Sequence, residues 1–338
     1  MSAAKTGERE RFNLGAFSLE SGDMLEGAFL TYRTLGQLSP ERDNCVLLPS
    51  YYSGDDHSYD SIIGMGRALD PERYFIVLTN MFGNGVSASP STLTNSCRGR
   101  FFPRVSIGDN VVAQFRLLTE KLGVSKLRLA TGWSMGAMQC LHFAARFPDM
   151  VASVLAVCGT AKCWPLNEVF LEGVAASLRA DAAFADGRYL KPPEKGLRAF
   201  GRVYAGWAYS PAFFREQLYK DLGSDTLEDF LVAWEKDHLT HDANDLLAML
   251  YAWRHANPAV VGDDWGAALS AIKARTTLMP CNTDAYFTVE ETRIESSFIA
   301  DVKVSPLVSP YGHCAGAPGR FTRESHEIEA AAFELLKS

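Results

Sequence analysis

Short, continuous runs of apolar residues alternate with helical patterns through the first half of the chain. The runs cover 45–49, 74–79, 127–131 and 151–157. A run that does not alternate with polar residues is typical of a strand buried on both faces of a sheet. The segments 109–122 and 135–146 instead repeat apolar residues every three or four positions, as amphipathic helices do. Together these patterns predict βαβ units and a mostly parallel sheet.

The middle of the chain has a different character. From 164 to 269 the patterns are helical, and helices are predicted over 167–178, 197–208, 210–221, 226–236 and 242–255. Strand patterns return at 276–280 and 302–309, and a last helix is predicted over 322–336. The segment 27–33 has the pattern of one member of an antiparallel pair at the sheet edge. We therefore predict an α/β core made of 1–163 and 270–338, with a helical cap of 164–269 over the strand ends, where ligands of such sheets bind.

The composition indicates a folded protein and disfavours several classes of partner. A chain of 338 residues with 47% hydrophobic residues can bury a large core. With 33 basic and 40 acidic residues and no basic stripe, nucleic-acid binding is not expected. The charged N-terminus lacks the apolar run of a signal peptide, and no apolar run is long enough to predict a membrane span. Seven cysteines, none spaced as CxxC, predict a cytoplasmic location.

A nucleophile motif follows the third of these buried runs. Residues 132–136 read Gly-Trp-Ser-Met-Gly, between the predicted strand 127–131 and the predicted helix 135–146. A sharp strand-to-helix turn of this kind presents the serine at the top of the sheet, and its glycines avoid collisions between a Cβ and the neighbouring backbone. This setting indicates the α/β-hydrolase fold, with Ser134 as the nucleophile.

A serine hydroxyl needs a histidine base to remove its proton, and that histidine needs a carboxylate to orient it. In this fold the order along the chain is Ser, then Asp or Glu, then His. His313 follows a late strand in a glycine-flanked loop, so it is the predicted base. His142 lies on the helix after the serine and is predicted to be a packed helix residue. The remaining candidates lack a strand-end setting: His57, His255 and His326.

The acid of the triad is predicted from its place after a strand. Asp284 follows the predicted strand 276–280 and precedes His313 by 29 residues, enough for one helix and one strand. Glu290 and Glu291 are the alternatives, but they fall in the helical pattern 289–298 and are expected to face solvent. We therefore predict Asp284 as the residue that orients the base.

The oxyanion of an acyl-transfer intermediate needs two backbone N–H donors. The residue after the nucleophile, Met135, and the loop at 49–54 are the expected sources, and Tyr52 is the predicted second donor, with an ordinary turn tyrosine as the alternative. Two weaker motifs are set aside: His238 and His241 lack a metal-ligand pattern, and Gly83-Asn-Gly85 lacks a full dinucleotide fingerprint. No metal and no cofactor are predicted.

With these residues in place, the chain resembles the homoserine O-acetyltransferase family and its esterase-like relatives. The resemblance extends from about residue 12 to the C-terminus, and its most specific stretches are 74–80, 82–91, 109–114 and the Ser-Met-Gly-Ala-Met-Gln of 134–139. It implies the same triad, an oxyanion hole at Tyr52 and Met135, a helical cap, and a homodimer formed through cap helices.

The sequence departs from the homoserine-specific members where charge is expected. In those members the resemblance implies an arginine in the first cap helix and an aspartate directly after the catalytic histidine, which hold the amino-acid substrate. The matching positions here are Leu171 and Cys314, and Trp133 stands where the family usually has glycine. An amino acid bound in this pocket would have its carboxylate and ammonium unpaired, which would weaken its binding free energy by roughly several kcal/mol. Homoserine is therefore not the expected acceptor.

The predicted function is hydrolysis of a carboxylic ester through an acyl-enzyme on Ser134. The alternative is an O-acyltransferase that moves an acyl group from acyl-CoA to an alcohol other than homoserine, because water and alcohols compete for the same acyl-enzyme. An inactive interaction protein is disfavoured, since no triad member is missing. The partner is then a small-molecule ester or acyl donor. The expected pocket residues, each also a candidate for the core, are Tyr51, Tyr52, Trp133, Trp164, Phe170, Leu171 and Cys314.

Overall fold

The computed structural model describes residues 7–259 and 264–337. Within these residues, eight strands form one sheet in the order β1-β2-β4-β3-β5-β6-β7-β8. The β1–β2 and β2–β4 pairs are antiparallel, and every later pair is parallel. The strands are β1 (Glu10–Ser18), β2 (Met24–Leu35), β3 (Cys45–Pro49), β4 (Phe75–Thr79), β5 (Leu127–Trp133), β6 (Ser153–Val157), β7 (Arg275–Met279) and β8 (Val302–Val304). The predicted α/β class and the antiparallel pair at the edge are confirmed.

Helices cover both faces of the sheet, which is why its central strands are apolar throughout. Every residue of β3, β4 and β6 is buried. In β3, Leu47 packs toward α2, while Val46 and Leu48 pack toward α10 on the opposite face. The helices of the sheet layers are α1 (Ile107–Arg116), α2 (Met135–Arg146), α9 (Val289–Ser296) and α10 (Thr322–Leu336).

The segment between β6 and β7 is helical, as the sequence pattern predicted. Every regular element in the described residues of this segment is a helix. The α-helices are α3 (Pro165–Arg179), α4 (Glu194–Ala208), α5 (Pro211–Arg215), α6 (Leu227–His238), α7 (Ala243–Arg254) and α8 (Trp265–Ser270). The division into a core of 1–163 and 270–338 and a cap of 164–269 stays a prediction, and residues 1–6, 260–263 and 338 of those ranges lie outside the described residues. Within the described residues, no helix has the length and apolar character needed to cross a bilayer.

Three predicted elements differ from the structure. The predicted helix 210–221 breaks at Gln217, which adopts a left-handed conformation (φ 56°), and continues as a 3-10 turn, Leu218–Lys220. The predicted strand 302–309 pairs regularly only over β8; beyond β8, the N–H groups of Ser305 and Leu307 still donate to the carbonyls of Leu278 and Pro280, and an isolated bridge joins Leu307 to Cys281. The predicted helix 109–122 begins earlier, at Ile107, and its last turn, Leu117–Lys121, is π-helical.

A buried ion pair lies beneath the loop that follows β3. Nε of Arg33 lies 2.9 Å from Oδ2 of Asp56, and both side chains are fully buried. Asn80, which follows β4, donates to Asp56 Oδ1 (2.8 Å) and accepts from the Asp56 N–H (3.0 Å). Burial by itself would raise the pKa of Asp56, but hydrogen bonds from Arg9 and Asn80 and the nearby guanidinium groups bring it below its ordinary value. These contacts fix the end of the segment that contains Tyr52.

Replacing Asp56 by Ala should destabilise the protein strongly, because the buried Arg33 would lose its fully buried counter-charge and keep its pair with the partly exposed Asp60. The expected loss is about 3–5 kcal/mol in the free energy of unfolding, measured by urea denaturation. Asp149→Ala is the matched control, since it removes a carboxylate whose pair with Lys273 is largely exposed. Equal unfolding midpoints for the two variants would contradict a structural role for the buried pair.

Candidate active site

Ser134 occupies a strained turn between β5 and α2. Its φ of 58° and ψ of −128° lie outside the regions that side chains ordinarily adopt. Glycines make the turn sterically feasible: a Cβ on Gly132 would lie 2.6 Å from the Gly136 carbonyl carbon, and one on Gly136 would lie 2.6 Å from the Pro49 carbonyl oxygen. The Gly-x-Ser-x-Gly spacing is therefore explained by backbone crowding, and the turn has the geometry of a nucleophile elbow.

The predicted triad residues form one hydrogen-bonded chain. The Ser134 hydroxyl lies 2.9 Å from Nε2 of His313, and Nδ1 of His313 lies 2.8 Å from Oδ2 of Asp284. A carboxylate can only accept, so Nδ1 carries the proton and Nε2 is free to accept from the serine. All three residues are buried. The arrangement can transfer the serine proton to the imidazole and stabilise the imidazolium that results.

The remaining oxygen of Asp284 is also held. Oδ1 accepts from the backbone N–H groups of Tyr286 (2.7 Å) and Phe287 (3.2 Å), so the carboxylate has a fixed orientation. The alternative acids are placed elsewhere: Glu290 is exposed, and Glu291 accepts from the N–H of Thr288 in the capping box that begins α9. Within the described residues, Asp284 is the carboxylate that contacts the imidazole.

The predicted oxyanion donors lie beside the nucleophile. Met135 is the first residue of α2, where a backbone N–H has no partner within its own helix. Tyr52 lies in the segment after β3 and lines the same cleft as Ser134. Its ring stacks on Tyr204 of the cap (5.6 Å between centroids), and its hydroxyl donates to the Leu246 carbonyl (3.4 Å). The role of these two N–H groups as an oxyanion hole stays a prediction.

A cleft of about 610 Å³ opens onto Ser134 and His313. Of the predicted pocket residues, Tyr51, Tyr52, Trp133 and Cys314 line it. The other three do not. Phe170 and Leu171 lie on the inward stripe of α3, which packs on α4 and α7, and Trp164 donates its Nε1–H to Glu295 (3.0 Å). Phe170 and Leu171 face away from this cleft because α3 turns their stripe toward other cap helices, while Trp164, just before α3, packs beside Glu295 and Trp265.

The cap contributes residues to the site that the sequence patterns did not single out. Tyr204 and Trp234 line the cleft from α4 and α6, together with Asp237, and Arg320 lines it from the segment after His313. Tyr286 packs against the His313 ring (4.6 Å between centroids) from the Asp284 loop. The available signal was weak: Tyr286 lies two residues after the predicted acid, while the cap residues belong to amphipathic stripes that are equally typical of core.

Two of the other histidines, His142 and His238, are buried and serve packing. His142 donates its Nε2–H to the Ala161 carbonyl (2.6 Å), and burial lowers its pKa to about 4, so the ring is neutral. His238 packs among cap aromatics and its Nδ1 lies 2.9 Å from the Trp234 carbonyl oxygen. Over the described part of the chain, no group of three His, Cys, Asp or Glu side chains is placed to hold a metal ion.

Comparisons with known proteins identify the fold and the family of the chain. A family model described as the alpha/beta hydrolase fold matches residues 46–207. An ethyl acetate hydrolase of Pseudomonas veronii is 35% identical, and the match covers 98% of this chain and 96% of that protein. A homoserine O-acetyltransferase of Nostoc punctiforme is 30% identical, with 92% of this chain and 94% of that protein covered.

The solved structures show the same relationship. The crystal structure of an acetylester hydrolase from Corynebacterium glutamicum matches with a TM-score of 0.94 at 32% identity, covering 98% of this chain and 96% of that one. Esterases of this fold require no cofactor. The chain belongs to the family of homoserine O-acetyltransferases and related esterases within the α/β-hydrolase fold, as its motifs predicted.

Proposed function

We propose that this protein hydrolyses carboxylic esters through an acyl-enzyme on Ser134. The observation that carries the proposal is the continuous hydrogen-bonded chain from Ser134 through His313 to Asp284, of which Ser134 and His313 line an open cleft. The likeness to an ethyl acetate hydrolase and an acetylester hydrolase supports ester hydrolysis and favours acetate esters of small alcohols as substrates.

The proposed mechanism uses the triad twice. His313 Nε2 takes the hydroxyl proton as Ser134 Oγ attacks the ester carbonyl, and the N–H groups of Met135 and Tyr52 stabilise the negative oxygen. The tetrahedral intermediate collapses, the alcohol leaves with the proton from His313, and the acyl group stays on Ser134. Water then transfers a proton to His313 and attacks the acyl carbon, which releases the carboxylic acid and restores the serine.

The alternative is transfer of the acyl group from acyl-CoA to an alcohol other than homoserine. The family's transferases favour it, because the same acyl-enzyme can react with an alcohol in place of water. The charges that the resemblance implies for homoserine are absent: Cys314 lines the cleft as a neutral thiol, whose pKa burial raises to about 11, and Leu171 is buried within the cap. Arg320 and Asp237 do line the cleft, but both are exposed and their charges are screened by solvent.

The cellular setting belongs to the same proposal. All seven cysteines are free thiols, which supports a reducing, cytoplasmic location.

A homodimer through the cap is supported by α3, which exposes Leu166 and Val169 on its outer face (42% and 64% exposed). The acidic charge balance favours a small molecule as the partner over nucleic acid.

Replacing Ser134 by Ala should leave the fold intact and reduce hydrolysis of p-nitrophenyl acetate by about four orders of magnitude or more, because every step passes through Oγ. His313→Ala should have a similar effect. Steady-state kinetics with matched circular dichroism spectra test both variants. If Ser134→Ala retained more than about a tenth of the wild-type rate, Ser134 would not be the nucleophile.

Asp284→Asn should be severe but milder than loss of the serine or the histidine, because an asparagine favours the wrong imidazole tautomer and supplies no counter-charge. Glu290→Gln is the matched control, since it makes the same chemical change on the exposed face of α9. The measurement is kcat for p-nitrophenyl acetate. A larger loss in Glu290→Gln than in Asp284→Asn would show that the wrong carboxylate was chosen.

Acetyl transfer from acetyl-CoA to homoserine should be undetectable under conditions in which p-nitrophenyl acetate is hydrolysed. The reason is that neither Leu171 nor Cys314 can pair with the charges of an amino acid. Mass spectrometry of O-acetylhomoserine, beside a panel of neutral alcohols, measures the transfer. Efficient formation of O-acetylhomoserine would make the acyltransferase function the better description.

A further inference from the structure

Trp133 contacts the catalytic base in two ways. Its indole stacks on the His313 ring, with centroids 4.9 Å apart and an interplanar angle of 26°. Its Nε1–H donates to the backbone carbonyl of His313 (3.2 Å). Because Trp133 also precedes Ser134 directly at the end of β5, one residue connects the nucleophile turn to the loop of the base.

The indole is itself held in place. The backbone N–H of Trp133 donates to the Tyr59 hydroxyl (3.3 Å), and the indole ring packs edge-on against Tyr51 (4.6 Å between centroids). The loop of the base approaches it closely at Gly316, where a Cβ would lie only 2.8 Å from Cδ1 of Trp133. The stacking geometry on His313 is therefore set by packing on several sides.

The stacked geometry favours one protonation state of the histidine. The face of an indole carries partial negative charge and attracts a cation, but it has little preference for a neutral ring. His313 is neutral before the reaction and becomes an imidazolium when it takes the serine proton. An interaction that strengthens as that charge forms lowers the barrier to reaction.

We propose that Trp133 is a positioning residue for the catalytic base: its N–H fixes the His313 loop and its indole face stabilises the imidazolium. The proposal rests on the proposed function, in which His313 accepts the serine proton. Trp133 itself need not touch the substrate.

The other ionisable groups near the imidazole belong to residues that the Trp133 variants retain. Asp284 contacts Nδ1, Tyr286 packs against the ring, and Cys314 follows His313 in the chain. Arg320 and Asp237 line the same cleft from the segment after the base and from α6. A difference in pKa between wild type and a Trp133 variant therefore reports on the indole.

The experiment measures kcat/KM for p-nitrophenyl acetate against pH in the wild type, Trp133→Phe and Trp133→Leu. Trp133→Leu loses both the indole face and the Nε1–H donor, so the apparent pKa of the base should fall by about 0.5 to 1 pH unit. Its plateau rate should fall about tenfold. Trp133→Phe keeps an aromatic face, so its apparent pKa should lie closer to that of the wild type, while the lost N–H still lowers the plateau value of kcat/KM.

Trp265→Leu is the matched control, because it removes an indole that packs on Trp164 and Phe298 outside the cleft lining. Its pH profile should match that of the wild type. A titration of the His313 ring by NMR in a Ser134→Ala background, with and without Trp133→Leu, measures the same pKa without turnover and detects any loss of folding. It should show the same downward shift.

An unshifted pKa in a folded Trp133→Leu variant would overturn the proposal, even if its rate fell, because a purely structural role lowers the rate without moving the titration. Failure of the proposed function gives a different result. In that case His313→Ala would retain activity, whatever the Trp133 variants do.

Discussion

The hydrogen-bonded chain of Asp284, His313 and Ser134 is the contact on which the rest of the site depends. Its members are 179 residues apart at the extremes, yet each lies in a loop beyond the carboxyl end of a strand. Parallel pairing of β5, β6, β7 and β8 places these ends at one edge of the sheet. The sheet therefore brings the three residues close together, and the hydrogen bonds between them set the final geometry.

The nucleophile turn shows how the surrounding packing maintains a strained conformation. Ser134 has a positive φ, and the backbone around it is so crowded that Gly132 and Gly136 admit no Cβ. The Tyr59 hydroxyl donates to the Pro49 carbonyl and accepts from the Trp133 N–H, which joins the turn to the end of β3. Strain of this kind persists only where neighbouring structure over-determines it, and here buried strands on both sides do so.

The cap completes the site and is connected to the acid loop. Asn167, fully buried on α3, donates from Nδ2 to the Tyr286 carbonyl, while the N–H of Tyr286 donates to Asp284. Tyr286 in turn packs on His313, and its hydroxyl donates to the Tyr204 carbonyl (3.3 Å). Movement of the cap would therefore alter the packing around the triad, because Tyr286 contacts both the cap and His313.

The sequence by itself determined the features that local patterns encode. Buried strands appear as unbroken apolar runs, and the crowded turn at Ser134 requires glycines at fixed spacing, so the fold, the nucleophile and the order of the triad were predictable. Helical stripes, by contrast, show which side of a helix is buried but not what it is buried against. Only the tertiary structure decided that Leu171 and Phe170 pack inside the cap, that Tyr204 and Trp234 line the cleft, and that the indole of Trp133 lies on His313, because these contacts depend on how distant elements pack.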